Sequence, residues 1–474
     1  MSEGARSVGA MHGIVPPYLL ERLTRHGDEA VSTCAARTLT VDGALRTKRS
    51  LAAPTTWPRA AMAAPGPQRT ISDAQNTTAL PGSTVRREGD PATGDTAVDE
   101  AYDALGATWT MLFDAFGRDS LDGAGRPLLA TVHYGDRYDN AFWDGERMVF
   151  GDGDGEVFRS FTSAIDIVGH ELGHGLIQST VDLVYQGQPG ALNESIADVI
   201  GSLVKQHQLG QTAEQADWLI GAGVFTDQVQ GVALRSMKAP GTAYDDDVLG
   251  RDPQPGHMDD YVETTSDNGG VHINSGIPNR AFHLAATGIG GHAWDGAGRV
   301  WMDVLERRLV AADADFATFA AATITAAEEE RFGSGSAEHR AVADAWQQVG
   351  VTARAASAEA PAAAEDETVR VERSGGILGR VHVAEVPESE LPEPERERLE
   401  SLVETVAASD EPERAVPDAY TWRIEISQRI DITVGERELP DEVLALLRDI
   451  LQRGERTSRV SLEQGGEPAD GRAP

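Results

Sequence analysis

The stretch VGHELGHG, residues 168–175, places two histidines four positions apart. In an α-helix such side chains lie on one face, so His170 and His174 can direct their imidazoles to a common metal ion. Glu171 would lie beside a metal-bound water rather than bind the metal itself. Apolar residues around the motif predict a buried helix: Ile165, Ile167, Val168, Leu172, Leu176 and Ile177. The motif alone fits two ordinary polar residues on a helix equally well, so a third ligand has to decide.

The segment GALNESIADVIGSLV, residues 190–204, offers that third ligand. A catalytic zinc ion is held by three protein side chains and keeps a fourth position open. Glu194 can complete the set, and Asp198, one helical turn later, can accept the free N–H of a ligand histidine and fix its ring. The alternative is a pair of solvated acids, but acids among apolar neighbours usually have a partner.

The spacing of these motifs resembles that of the thermolysin family of zinc neutral proteases. HELGH is separated by nineteen residues from the glutamate of NES, and an aspartate follows four positions later. Zinc aminopeptidases with the same helix space the third ligand one residue shorter and carry a GxMEN motif, and this sequence has neither feature. The resemblance covers about residues 69–351 and implies Zn²⁺ as cofactor. It also implies an α+β catalytic domain with a β-rich N-terminal lobe, about residues 69–164, and a helical C-terminal lobe.

The resemblance assigns catalytic roles to four residues. Glu171 would be the general base that activates the water and passes its proton to the leaving amine. Tyr185, in LVYQ, and His272, in DNGGVHINSG, would donate hydrogen bonds to the oxyanion of the reacting carbonyl. Asp267 would orient His272. An enzyme of this kind is a zinc endopeptidase, and the alternative is a silenced peptide-binding protein that has kept the fold.

Substrate-binding residues follow from the same resemblance. NAFWDGERMVFGDGDG, residues 140–155, is similar to the edge strand in which Asn140 and the backbone of Ala141 hold a peptide. Arg235, in LRSM, would bind a substrate carbonyl. Four apolar residues are expected to line the pocket for the side chain after the cut: Phe158, Phe161, Ile167 and Leu234. This pocket predicts hydrolysis of peptide or protein substrates on the N-terminal side of bulky hydrophobic residues.

The sequence departs from the family at its double calcium site. Lys205 stands where an acid is expected, and Leu219 and Ala222 replace two more acids, while Asp166 and Asp217 remain. An ammonium group at this place repels a divalent cation, so we expect the double Ca²⁺ site to be degraded. GDGDG (151–155) and YDDD (244–247) are either single calcium sites or simply acidic surface loops.

The N-terminal block, residues 1–68, resembles the short propeptide of protealysin-like members through MHGIVPPYLLERL. Such a presegment implies a zymogen whose cleft is blocked until self-cleavage. We expect the cut within about residues 50–69, with Leu51 or Met62 as the residue after it. Cys34 is either a thiolate that caps the zinc or an incidental small residue.

The C-terminal region follows an Ala/Glu/Pro linker, residues 352–367. Residues 368–460 predict a small ββαββα domain: strands at 369–373 and 380–384, a helix with Leu399, Leu402, Val403 and Val406, a hairpin around Tyr420–Val434 and a final helix. The pattern is similar to emfourin, a protein inhibitor of protealysin-like proteases, so the domain would inhibit its own protease. The alternative is a docking module. A polar tail, residues 461–474, ends the sequence.

Composition excludes several classes of partner. A formal charge of −35 argues against nucleic acid and anionic membranes. The single cysteine rules out an intrachain disulfide, and no apolar run is long enough for a membrane span. The N-terminus has no apolar core typical of a Sec signal peptide, so we expect a cytoplasmic protein or export by a non-classical route.

Overall fold

The computed structural model describes residues 12–50 and 65–354, the strands between residues 368 and 435, and helical positions between 444 and 451. The chain divides into two compact units, Arg6–Ser357 and a second that contains Ala358–Pro474. No helix among the described residues is long and apolar enough to cross a membrane.

The presegment consists of a short strand, β1 (His12–Gly13), and two helices, α1 (Pro17–Leu23) and α2 (Glu29–Ser50). Pro17 at the first turn of α1 suits a position whose N–H would have no helical partner. The buried face of α1 consists of Leu19, Leu20 and Leu23. These leucines belong to the core of the catalytic unit, so the presegment is docked on that unit by apolar burial.

The N-terminal lobe is a mixed sheet covered by one long helix. Its strands are β2 (Arg69–Asp73), β3 (Ser83–Arg87), β4 (Leu128–Val132), β5 (Ala141–Trp143) and β6 (Met148–Phe150), and its helix is α3 (Thr96–Phe116). The strand order is β1-β5-β6-β4-β2-β3. The presegment therefore supplies the sixth strand, at the edge next to β5.

Two long helices cross the middle of the unit, α4 (Ile165–Ser179) and α5 (Gly187–Leu209). Residues 166–177 of α4 are buried without a break, as the apolar flanks of the motif predict. The helices approach closely at Gly173, where an added Cβ would come within 2.9 Å of the Ala197 Cα. This close contact brings the HELGH face of α4 against the NES face of α5.

The helical lobe completes the catalytic unit. It contains the short strands β7 (Leu219–Ile220), β8 (Arg235–Ser236), β9 (Asp245–Asp246) and β10 (Gly250–Arg251). Its helices are α6 (Asp267–Asn274), α7 (Gly276–Ile289), α8 (Ala297–Glu306), α9 (Phe316–Ala326) and α10 (Ala337–Gln348). Short helical turns lie at Phe161–Ser163, Met258–Asp260 and Ala327–Phe332. A β-containing lobe followed by a helical lobe agrees with the α+β prediction.

The C-terminal unit contains an antiparallel sheet in the order β12-β11-β13-β14. Its strands are β11 (Thr368–Gly375), β12 (His382–Pro387), β13 (Tyr420–Ile426) and β14 (Ile430–Gly435). The second strand runs past its predicted end at residue 384, because β12 stays paired with β11 as far as Thr368 opposite Pro387. The helix predicted around Leu399–Val406 lies outside the described residues. Helical positions at 444–451 include the buried Leu447 and Ile450.

Candidate metal centre

Three side chains from α4 and α5 converge on one point. The Nε2 atoms of His170 and His174 are 3.1 Å apart, and the Glu194 carboxylate lies 3.5 Å from the first and 3.6 Å from the second. All three residues are at most 2 % exposed. They form the one group of three or more potential metal ligands among the described residues. Two imidazole nitrogens and a carboxylate, buried together, fit a zinc ion.

The outer nitrogen of each histidine is held by an acceptor. His170 Nδ1 lies 2.7 Å from Asp198 Oδ1, and His174 Nδ1 lies 2.8 Å from Asn193 Oδ1. With a proton on each Nδ1, both Nε2 lone pairs are directed to the shared point. Burial lowers the pKa of His174 to about 3, so this imidazole is neutral, as a metal ligand must be. The sequence pointed to Asp198 but not to Asn193, although Asn193 directly precedes Glu194.

Asp198 is braced on its other side by Arg235. The guanidinium donates from Nε to Oδ2 at 2.9 Å and from Nη2 to Oδ1 at 2.7 Å, and Asn279 Nδ2 adds a third bond at 2.8 Å. Burial would raise the pKa of Asp198, but Arg235 and His170 outweigh it and hold that pKa well below the usual range. The carboxylate is therefore charged, and Arg235 links the histidine support to the cleft.

Glu171 lies on the same helix with a free carboxylate. It is fully buried, and neither oxygen has a hydrogen-bond partner. Burial, and then the charge of Glu194, raises the pKa of Glu171 well above its usual value. The backbone amides of Trp143 and Ile14 lie close enough to lower that pKa in part. A buried carboxyl group without a partner is costly, and Glu171 lies directly next to His170 in the chain.

On the opposite side of the triad lie Tyr185, His272 and Asp267. His272 Nε2 is 3.3 Å from the Tyr185 hydroxyl and 3.6 Å from the Glu194 carboxylate, and the Tyr185 hydroxyl donates to Glu194. Asp267 holds the other nitrogen of His272 at 2.6 Å and also accepts its backbone N–H at 2.9 Å. Burial lowers the pKa of His272, but Asp267 and Glu194 more than compensate and raise it to about 9. The ring is therefore a hydrogen-bond donor near neutral pH.

The backbone conformation of the first four residues of α6 places the Asp267 carboxylate next to Nδ1 of His272. All four, Asp267 to Gly270, have positive φ values between 50° and 79°. Glycine adopts this conformation without penalty, but an aspartate and an asparagine do so at a cost in backbone strain. This left-handed stretch lets Asp267 bind both the ring and the backbone N–H of His272.

The presegment lies across these residues in an extended conformation. β1 pairs antiparallel with β5, with Gly13 opposite Phe142. The Ile14 N–H donates to the Ala141 carbonyl at 3.0 Å. The cleft edge expected to hold a substrate therefore binds the chain's own N-terminal segment.

Side chains of the cleft bind the presegment as well. Asn140 Oδ1 accepts the Val15 N–H at 2.9 Å, and Arg235 Nη1 donates to the Ile14 carbonyl at 3.0 Å. Asn140 Nδ2 also donates to Asp42 of α2 at 3.0 Å, a partner that sequence analysis missed because α2 carries no motif. Asn140 thus contacts both the extended part of the presegment and its helix α2.

The four residues of the expected pocket are all buried: Phe158, Phe161, Ile167 and Leu234. They belong to one continuous apolar cluster, and Ile14, with no exposed surface, is part of it. The four pocket residues and Ile14 of the presegment therefore all lie in the apolar core of the unit.

Cys34 does not join the metal ligands. Its thiol, on α2, donates to the Arg137 carbonyl oxygen at 2.6 Å. Burial raises the pKa of the thiol, which is the opposite of what a zinc thiolate requires. The alternative of a thiolate cap on the metal is wrong for this structure.

Lys205, on α5, forms ion pairs with two acids, Asp166 of α4 and Asp217 of the segment after α5. Its ammonium lies 3.1 Å from Asp166 Oδ2 and 2.9 Å from Asp217 Oδ2, and it donates to the Leu219 carbonyl at 3.4 Å. The two acids that remain from the family pattern are therefore neutralised by a side chain of the protein.

Comparison with known proteins agrees with this geometry. Residues 58–178 match the thermolysin metallopeptidase catalytic domain, residues 181–351 match its alpha-helical domain, and residues 371–451 match emfourin. An extracellular metalloprotease of Pectobacterium carotovorum subsp. carotovorum is 51 % identical over 341 residues, which are 72 % of this chain and 96 % of the relative. Protease PrtS of Photorhabdus sp. (strain Az29) is 46 % identical over 347 residues, 72 % of this chain and 92 % of the relative.

A solved structure is similar as well. The precursor of protealysin, a metalloproteinase from Serratia proteamaculans, is 52 % identical with a TM-score of 0.66, over 72 % of this chain and all of that chain. The family models cover both lobes and the C-terminal domain. The chain therefore belongs to the thermolysin family of zinc metalloendopeptidases, as a zymogen of the protealysin type with an emfourin domain at its C-terminus.

Proposed function

We propose that His170, His174 and Glu194 hold the catalytic Zn²⁺ of this endopeptidase. Their convergence in a buried group is the observation that carries the proposal. When bound there, zinc polarises the scissile carbonyl and lowers the pKa of the attacking water. Asp198 and Asn193 keep both imidazoles neutral and oriented through their Nδ1 atoms.

The rest of the chemistry is assigned to Glu171, Tyr185 and His272. Glu171 takes a proton from the attacking water and returns it to the leaving nitrogen, which its free carboxylate supports. Tyr185 and His272 stabilise the charge that develops on the carbonyl oxygen. Asp267 is a positioning residue, because it holds Nδ1 and the backbone N–H of His272 and so keeps Nε2–H directed to the cleft. A decayed, purely peptide-binding protein would have no reason to keep this set intact.

Substrates are proposed to bind as the presegment does, as an extended strand along β5. Ala141 and Asn140 hold the backbone, and Arg235 binds the carbonyl of the residue after the cut. The apolar cluster around Ile14 favours a bulky hydrophobic side chain at that position. The proposed substrates are therefore peptides, and proteins whose solvent-accessible segments contain bulky hydrophobic residues.

The double calcium site is proposed to be replaced by Lys205. A monovalent ammonium bonded to Asp166 and Asp217 satisfies both carboxylates and leaves no place for a divalent ion. Single calcium sites at the other acidic loops remain separate from this proposal.

The organisation proposed for the chain is a propeptide at 1–68, a catalytic domain at 69–351, a linker at 352–367, an inhibitory domain at 368–460 and a polar tail at 461–474. The emfourin match at residues 371–451 supports the inhibitory role of the C-terminal domain. The relative named as extracellular supports action outside the cell. The acidic charge supports partners other than nucleic acid or membranes.

Intact mass over time tests the assignment. Freshly purified wild type is compared with Glu171→Ala, each with and without a zinc chelator. Only the untreated wild type should shorten at its N-terminus, because only it has both metal and base. If the Glu171→Ala protein shortened at the same rate, the base assignment would be wrong. Hydrolysis of an added peptide by the shortened product then reports the activity itself.

A further inference from the structure

The presegment crosses the cleft in one fixed register. Gly13 pairs with Phe142 in the sheet, and the following N–H groups, of Ile14 and Val15, bind Ala141 and Asn140 in turn. Backbone pairing therefore holds residues 12 to 14, and the side chain of Asn140 holds the N–H of residue 15. A segment held this way cannot slip by one residue without reversing which side chains face the core.

This register presents one carbonyl to the catalytic residues. The Gly13 carbonyl oxygen lies 3.2 Å from His272 Nε2, the nitrogen that itself lies 3.6 Å from Glu194. The next carbonyl, of Ile14, is bound by Arg235 at 3.0 Å, away from that donor. The peptide bond between the two carbonyls is Gly13–Ile14.

The helix that carries the proposed base, α4, packs against β1. Glu171 is fully buried on this helix, and neither of its oxygens has a hydrogen-bond partner. A carboxyl group at this position can deliver a proton to the Ile14 nitrogen when it leaves.

Both side chains at the bond suit hydrolysis. Ile14 is fully buried in the apolar cluster that contains Phe158 and Leu234. Gly13 passes so close to Asn140 that an added Cβ would come within 2.8 Å of its Nδ2. The bound segment therefore places no side chain before the Gly13–Ile14 bond and a bulky apolar side chain after it.

We infer that the presegment is bound as a substrate, and that Gly13–Ile14 is a self-cleavage site that is cut within the same molecule. This inference rests on the proposed function. One water is consumed: its oxygen bonds to the Gly13 carbonyl carbon, the C–N bond breaks, Gly13 leaves as a carboxylate and Ile14 becomes an amine. Residues 1–13 are released, while α1 and α2 remain docked by their own contacts.

Denaturing intact mass with N-terminal peptide mapping tests the inference on the full chain, purified with chelator and started by adding Zn²⁺. A product beginning at Ile14 is expected, at a first-order rate that does not change with protein concentration. Ile14→Asp should reduce its formation by about 100-fold or more, because a carboxylate is excluded from an apolar pocket. Ile14→Leu is the matched control and should keep the cut.

Hydrogen exchange of the metal-free Glu171→Gln chain gives a readout independent of activity. The amides of Ile14 and Val15 should be protected there, and their protection should be lost in the Ile14→Asp variant. Exchange at the rate of a free peptide would overturn the inference.

An added peptide substrate separates the two proposals. If the wild type hydrolyses it but never forms a product beginning at Ile14, the self-cleavage site is wrong and the proposed function stands. If neither reaction occurs with zinc bound, both are wrong.

Discussion

Replacement of Lys205 by methionine removes the charge that neutralises Asp166 and Asp217 but keeps a similar length of apolar side chain. The Asp166 side chain is 1 % exposed, so its carboxylate would be buried without a counterion, whereas Asp217 is 46 % exposed and is solvated. Breaking a fully buried pair costs about 3–5 kcal/mol. Because one of the two acids here reaches solvent, we expect about 2–3 kcal/mol, which for the unit Arg6–Ser357 corresponds to a melting temperature lower by about 3–4 °C.

The loss should depend on pH. Burial raises the pKa of Asp166 in the folded protein, and Lys205 counteracts that rise, so the variant raises this pKa further. A carboxyl group whose folded pKa exceeds its unfolded value of about 4 loses stability as pH rises through the interval between them. The difference between variant and wild type should therefore be small near pH 4 and full at pH 7–8.

Thermal unfolding followed by circular dichroism at several pH values measures both effects. Lys238→Met is the matched control, because this lysine is exposed. If Lys205→Met melts within about 1 °C of the control, or if its loss is the same at pH 5 and pH 8, Lys205 does not act as the internal counterion.

Four further predictions follow from the structure. Asp198→Asn should weaken zinc binding by about 10–100-fold in a competition titration with a chelator, and unchanged affinity would contradict its supporting role. Gly173→Ala should destabilise the chain by about 1–3 kcal/mol, because its methyl group meets Ala197; an unchanged denaturation midpoint would contradict that contact. His133 binds Asp152 and Asp95, which outweigh burial and raise the pKa of His133. His133→Gln should therefore lower the melting temperature below pH 6.5, and this loss should shrink as the pH rises past the pKa of His133 in the folded protein. A difference that stays constant with pH would refute this. A chain ending at Gly350 should be more active than the matured full-length chain, and equal activity would contradict inhibition by the C-terminal domain.

The sequence alone predicts the helix that carries the metal ligands, because the pattern that specifies it lies within a few neighbouring residues. His170 and His174 meet by helical periodicity, and Glu194 follows at a spacing typical of the family. The α+β fold, the family and the emfourin domain were predicted from such motifs and are confirmed by the comparisons. The apolar flanks of the motif correctly predict that α4 is buried.

Contacts between distant segments could not be predicted in the same way. Val15 and Asn140 are 125 positions apart, and Asp42 and Asn140 are 98 apart, so no local pattern specifies either pair. Asn193 can reach His174 because α4 and α5 pack closely at Gly173. The residue against which Gly173 packs, Ala197, lies outside the HELGH motif, so the motif alone does not indicate this contact. The register of the presegment in the cleft, and hence the bond it presents, comes from sheet pairing alone.

The edge of the sheet at β5 has a consequence for what the mature protease can attack. Once β1 leaves, the short strand β5, Ala141–Trp143, loses its neighbour on that side and an incoming strand can take its place. A chain can pair there only if its own amides and carbonyls are free, which is the case in unfolded regions, loose termini and long loops but not inside folded sheets or helices. The protease would therefore discriminate between damaged and intact proteins by the availability of their backbone. Because the exposed edge is so short, two mature molecules would gain little by pairing with each other.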